Sequence, residues 1–153
     1  MRFDVKAEQS KFWSIFDSKL IENGEPFSNL HEKGGEVTQW TVIDKKNSFV
    51  DNALSVDLLL REKKIRVNIY VRKDLALFSL LEKHKAEIES MVSVPLQWIK
   101  GTKNPNTRRI AYIMPIKVGD VEDYADAIDD ILPVLVEMKT VCEKYAPYAF
   151  FDF

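Results

Sequence analysis

Two stretches of this sequence bring carboxylates and lysines close enough to raise one chemistry, metal-dependent phosphodiester cleavage. They are Asp51 with Glu62, Lys63 and Lys64, and Glu36 with Asp44, Lys45 and Lys46. In that chemistry carboxylates hold a divalent metal while a lysine stabilises the charge developing on phosphate. Neither stretch fits well. Glu62 falls where the chain is expected to turn, and acidic-x-lysine triplets arise freely in a chain that is 30% charged, so a solvated turn is the simpler reading. His84 lies in an apolar helical stripe and His31 in a loop beside Glu32, with no further ligands at metal-binding spacing. Cys142, the single cysteine, has no neighbouring activating pattern and reads as a buried inert thiol. Glycine-rich phosphate loops, serine elbows and zinc-ligand arrays are absent. The expectation is a chain without catalytic residues, cofactor or metal, with a metal-dependent nuclease as the weaker alternative.

Binding leaves a clearer trace. Leu54, Val56, Leu58 and Leu60 alternate with polar residues, as do Ile65, Val67, Ile69 and Val71, which predicts a β-hairpin with one buried face. A turn at Glu62-Lys63 sets Leu60 opposite Ile65, Leu58 opposite Val67, Val56 opposite Ile69 and Leu54 opposite Val71. A four-residue loop from Arg61 to Lys64 gives the same pairing. The other face then carries Ser55, Asp57, Leu59 and Arg61 on one strand and Arg66, Asn68, Tyr70 and Arg72 on the next, with Asp57 facing Asn68. Such a row is either an ordinary solvated sheet face or a recognition surface, where Arg66 and Arg72 meet an anion and Tyr70 offers a stacking platform. Lys100, Lys103, Arg108 and Arg109 extend it if the later strands lie alongside. A second candidate is the C-terminal run Tyr145, Tyr148, Phe150, Phe151 and Phe153. That much aromatic surface is costly in water, so it either covers its own core or docks on a second subunit to make a homodimer.

The elements that must position these residues follow from periodicity. A first helix over about Val5 to Ile21 has Val5, Phe12, Phe16 and Leu20 on one stripe with Trp13 beside it, and stops at Asn23-Gly24. A strand of about Glu36 to Ile43 precedes the hairpin strands, Leu54 to Arg61 and Lys64 to Arg72. Asp74 caps a second helix through about Met91, ended by Pro95. Strands near Leu96 to Lys100 and Arg108 to Ile116 flank the polar loop 101–107, and a third helix begins after Asp120, with Pro133 expected to kink it. The expected fold is α+β, a single antiparallel five-stranded sheet with three helices in the order α-β-β-β-α-β-β-α. At 153 residues, one domain over 1–153 is expected.

A formal net charge of -2 gives no global attraction to nucleic acid or to an anionic membrane, so any such partner must be met by one face. No apolar run approaches a membrane span, Met1 to Lys11 carry no signal-peptide stretch, and one cysteine suits a reducing compartment; a cytoplasmic location and no membrane partner are expected.

Phe12-Trp13, the strand Arg66-Val67-Asn68-Ile69-Tyr70-Val71, Ala76-Leu77-Phe78 through Leu80-Leu81, Glu87-Ile88-Glu89 and Leu96-Gln97-Trp98 together resemble domain-of-unknown-function family 4268. The resemblance covers most of the chain, and the helix followed by a Leu-x-Trp strand is its more specific part. It implies a non-catalytic accessory domain of the kind found after nuclease-like domains, with a nucleic-acid partner in transactions such as restriction or defence. No catalytic residues come with it. The element order is also similar to the secretion-chaperone-like fold, which implies the alternative of a dimeric protein-interaction module with a protein partner.

Overall fold

The computed structural model describes residues 4–23, 39–41, 52–72, 74–101 and 107–147. Its elements are α1 (Val5–Asn23), β1 (Gln39–Thr41), β2 (Asn52–Leu59), β3 (Lys64–Arg72), α2 (Leu75–Lys83), α3 (Lys85–Met91), β4 (Gln97–Lys100), β5 (Thr107–Pro115) and α4 (Val121–Tyr145). The strands form one antiparallel sheet in the order β1-β2-β3-β5-β4. The expected arrangement of a full five-stranded sheet with three helices is corrected: there are four helices among the described residues, and the body of the sheet is the four strands β2-β3-β5-β4, to which β1 adds only a three-residue edge ladder on Ser55–Asp57.

The additional helix comes from a break at His84. Its backbone (φ -105, ψ 21) leaves the helical basin, and its N–H bonds to Leu81 O, three residues back. Neither glycine nor proline marks the spot. The imidazole instead stacks on Tyr145 of α4 at 4.8 Å, and α3, which follows, buries Ile88. Asp74 caps α2 as expected, its Oδ1 accepting from Leu77 N at 3.0 Å.

The hairpin register also differs. Ile65 faces Leu58, Val67 faces Val56, Ile69 faces Leu54 and Val71 faces Asn52, a displacement of two residues from the expected pairing. Every side chain keeps its face, because strand side chains alternate with period 2. The connection is the four-residue loop Leu60–Lys63, closed by Lys63 N to Leu60 O at 3.1 Å, with Lys63 in the left-handed region at φ 55. A two-residue turn would need two positive-φ residues, for which Glu-Lys is badly suited; the longer loop needs one. Lys63 O then accepts from Ile116 N at 2.9 Å, fastening the loop to the chain just after β5.

The core lies between the apolar face of the sheet and the helices α2, α3 and α4. Val56, Ile65, Val67, Ile69 and Ile110 meet Leu81, Ile88, Ile128, Ile131 and Leu135 there, all fully buried. Helix α1 lies along α4 through Phe12, Trp13, Phe16 and Leu20, with Phe12 edge-on to Tyr124 at 5.6 Å. A polar lock fixes this pair. The Tyr124 hydroxyl accepts from Gly119 N (3.1 Å) and donates to the buried Glu8 (3.2 Å), and Lys11 Nζ bridges Glu8 (3.0 Å) and Gly119 O (3.1 Å). Gly119 has φ 109, which glycine adopts without strain. Among the described residues no helix is long and apolar enough to cross a membrane.

Two measurements follow from this geometry. Lys63→Gly removes the left-handed penalty and is expected to stabilise the fold by up to about 1 kcal/mol, read as a raised urea midpoint at unchanged slope; an unmoved midpoint contradicts the role given to the loop. Burial pushes the Tyr124 hydroxyl up from its ordinary 10 to about 12. Between those values the unfolded chain gives up a proton that the folded chain retains, so stability is full below pH 10 and falls as pH rises toward 12. The midpoint of thermal unfolding should therefore drop more steeply over that window in the parent than in Tyr124→Phe.

Candidate anion-binding site

Antiparallel pairing brings Asp57 opposite Arg66, Ser55 opposite Asn68, Ala53 opposite Tyr70, and then Tyr70 opposite Arg109 and Asn68 opposite Ala111 on the other side of β3. Asp57, Arg66, Asn68, Tyr70, Arg72 and Arg109 thus share the face turned away from the helical core. Asp57 is its centre. Arg66 donates to Asp57 Oδ2 from Nε at 2.9 Å, with its Nη2 2.8 Å from the same oxygen as an ion pair, Arg109 Nη1 approaches that oxygen at 3.4 Å, and Asn68 Nδ2 at 3.5 Å. Asn68 also donates to Ser55 Oγ (2.8 Å) and Ser55 O (3.1 Å), and its Oδ1 accepts from Arg109 Nη1. The Arg109 guanidinium lies 4.5 Å over the Tyr70 ring.

A fully solvated sheet face does not describe this arrangement. Ser55 and Asn68 are 0% exposed and Asp57 6%, while the side chains of Arg66 and Arg109 retain 23% and 26%. Buried polar groups of this kind are tolerated only when bonded, which these are. Burial lowers the pKa of Arg109 and the nearby Arg66 lowers it further, with Asp57 and Tyr70 acting the other way. Two guanidiniums share one carboxylate, so the cluster keeps an excess positive charge. Arg72 makes no ion pair among the described residues and Lys64 is exposed at the same face.

The remaining candidates separate. Alternation along β5 puts Arg108 on the opposite face from Arg109: it lies between Val71 and Lys100, with its guanidinium 6.0 Å from the Phe78 ring of α2. Arg108 and Lys100 therefore do not extend the row, which corrects that expectation. Tyr70 is not an open stacking platform either, since Arg109 covers it. Lys103, Tyr148, Phe150, Phe151 and Phe153 lie outside the described residues. Tyr145 is half-buried and donates to Glu87 at 2.6 Å, an interaction within the chain that lowers the Glu87 pKa and raises that of Tyr145.

Glu62 stands exposed at the hairpin loop, while Asp51, Glu36 and Asp44 lie outside the described residues. Among the described residues no three His, Cys, Asp or Glu side chains cluster as a metal site would need. Cys142 is buried, and burial raises its thiol pKa far above the ordinary value, keeping it protonated. Gln9 was missed in the sequence: it lies on α1 yet lines the cavity beside Asp57, Arg66 and Arg109. A glutamine on the buried side of an otherwise apolar helix stripe is the only local hint.

Replacing Asp57 with Asn is expected to destabilise the fold by about 2 kcal/mol, less than the loss for a fully buried pair because both arginines reach solvent. Urea unfolding measures this, and a change within experimental error would mean that Asp57 does not hold the cluster together.

No curated protein matches the chain. Among solved structures it is similar to YbjN from E. coli, a proposed transcription regulator, at 9% identity and a TM-score of 0.40, with 86% of this chain and 93% of that chain covered; a likeness of that degree says nothing about a shared ligand. The family described as domain of unknown function DUF4268 matches residues 8–146. With nearly its whole length matched, including every residue of the polar cluster, the chain belongs to the DUF4268 family.

Proposed function

We propose that this protein is a non-catalytic binding domain that takes phosphate-bearing single-stranded nucleic acid across the polar face of β3 and β5. The observation that carries this reading is the segregation of charge. Helix α4, packed on the other face of the sheet, bears seven carboxylates against two lysines, whereas the polar face carries Lys64, Arg66, Arg72 and Arg109 against Asp57 alone among the described residues. A molecule with net charge -2 therefore still presents a cationic surface, and field lines from it favour an anionic ligand at short range. The stacking surface offered to a base is the Arg109 guanidinium, which lies 4.5 Å over the Tyr70 ring, and guanidinium planes stack bases as aromatic rings do. Arg72 supplies a charge not committed to an ion pair among the described residues.

Fluorescence anisotropy with single- and double-stranded probes at several salt concentrations tests the proposal. Affinity should fall as salt rises, and Arg72→Gln should weaken binding and flatten the dependence of log affinity on log salt by about 0.7, the value for one phosphate contact on a single strand. Tyr70→Leu removes the support beneath Arg109 and should weaken binding with little change in slope, since stacking releases no counterions. If the parent fails to bind either probe at low salt, the nucleic-acid reading is lost and a protein partner becomes the better explanation.

A further inference from the structure

Where the first turns of α1 approach the β2–β3 hairpin there is an open cavity of about 380 Å3, within the range of about 300–1,000 Å3 typical of small-ligand sites. Arg66, Arg109 and Asp57 line it from the sheet, and Val5 of α1 with Arg61 and Glu62 of the hairpin loop are also in its walls. The shared carboxylate fixes how far apart the two arginines stand. Arg66 Nη2 is 2.8 Å and Arg109 Nη1 3.4 Å from the same Asp57 oxygen, so both guanidiniums are within reach of one phosphate group. Both side chains also keep part of their surface in solvent. Asp57 occupies Nε and Nη2 of Arg66, and Asp57 with Asn68 occupies Nη1 of Arg109. Arg66 Nη1 and Arg109 Nε and Nη2 make no bond among the described residues, which leaves these donor atoms for an anion.

A phosphate within a nucleic-acid backbone is a singly charged diester, whereas a terminal phosphate carries about -1.5 to -2 near neutral pH and three acceptor oxygens. Two guanidiniums against one carboxylate favour the greater charge, and their free donors suit the greater number of oxygens. A chain that continued past the phosphate would have to enter and leave the same recess; an end enters once. We propose that this cavity takes a terminal phosphate, a phosphomonoester, on Arg66 and Arg109. The proposal rests on the reading of the polar face as a phosphate-binding surface and names the group recognised at its hairpin end. That group is offered by the phosphorylated end of a single strand or by a free small phosphomonoester.

Fluorescence anisotropy of the full chain with one single-stranded sequence, bearing a 5′-phosphate, a 3′-phosphate or hydroxyls at both ends, tests the site. At least one phosphorylated strand should bind about tenfold more tightly than the hydroxyl-ended strand, the gain of one charge-assisted hydrogen bond. Arg66→Lys keeps a cation beside Asp57 and removes the planar fork of donors. Val5→Glu sets a carboxylate in the cavity wall at the first residue of a helix, where the macrodipole favours it. Each variant, its folding checked by thermal unfolding, should bring the phosphorylated and hydroxyl-ended affinities together. Ribose 5-phosphate, followed by competition and by isothermal titration, separates the two sources. If it binds as tightly as the phosphorylated strand and displaces it, the free monoester is the ligand, and a phosphorylated strand that outcompetes it about tenfold identifies the strand end. Equal affinity of phosphorylated and hydroxyl-ended strands, or a preference unaltered in both variants, overturns the proposal and leaves the sheet-face reading standing. Binding of ribose 5-phosphate without any strand keeps the site and removes the nucleic-acid reading, and failure of the parent to bind any of these probes removes both.

Discussion

Lys63 holds a left-handed backbone at the end of the loop Leu60–Lys63, and that conformation sets which side chains of β2 and β3 stand opposite each other. With the strands closed there, Asp57 faces Arg66 and Ser55 faces Asn68. Two residues of displacement would put Asp57 against Asn68 and move the carboxylate away from the guanidinium that neutralises it. The polar cluster, the cationic balance of the face and the cavity wall at Asp57 all follow from this closure. The bond from Ile116 N to Lys63 O carries the same constraint to the end of β5, the strand that brings Arg109.

Within the cluster, the geometry trades charge against burial. A buried carboxylate is stable only with its lone pairs met, and Arg66, Arg109 and Asn68 all converge on one of the Asp57 oxygens. Arg109 in turn gains from the Tyr70 face and the Asn68 carbonyl. Each arginine is thus oriented by contacts within the chain itself. The cost is a fold that depends on Asp57, because removing it leaves two like charges beside each other.

The second framework contact is between α1 and α4. Glu8, Lys11, Tyr124 and Gly119 form a closed set of bonds across the two helices, and the aromatic contact of Phe12 with Tyr124 lies next to it. Gln9 follows Glu8 on the same helix, so the lock that anchors Glu8 also fixes where Gln9 stands relative to the hairpin. The place of Gln9 in the cavity wall that also includes Arg66 and Arg109 is in this way a product of the helix pair as much as of the sheet.

Alternation of polarity determined the two faces of the hairpin. Val67 and Ile69 are buried toward the helices and Arg66, Asn68 and Tyr70 lie on the other side, because a period of 2 admits no other assignment with the apolar row inside. The same period cannot distinguish registers that differ by two residues, so the partners of Asp57 waited on the loop conformation, in which a lysine adopts a backbone that its type does not announce. Helical spacing likewise specified the stripes of α1 and α4, and the Asp74 and Asp120 caps are legible in the residue types. The break at His84 was not, since it rests on a ring contact with Tyr145 sixty-one positions away in the chain and not on glycine or proline. Arg108 and Arg109 are adjacent in sequence and fall on opposite faces once the strand is formed. Only tertiary structure set Arg109 on Tyr70 and brought Gln9 to the cavity that Arg66 also lines, because each of those arrangements is made by elements whose separation along the chain carries no local signal of it.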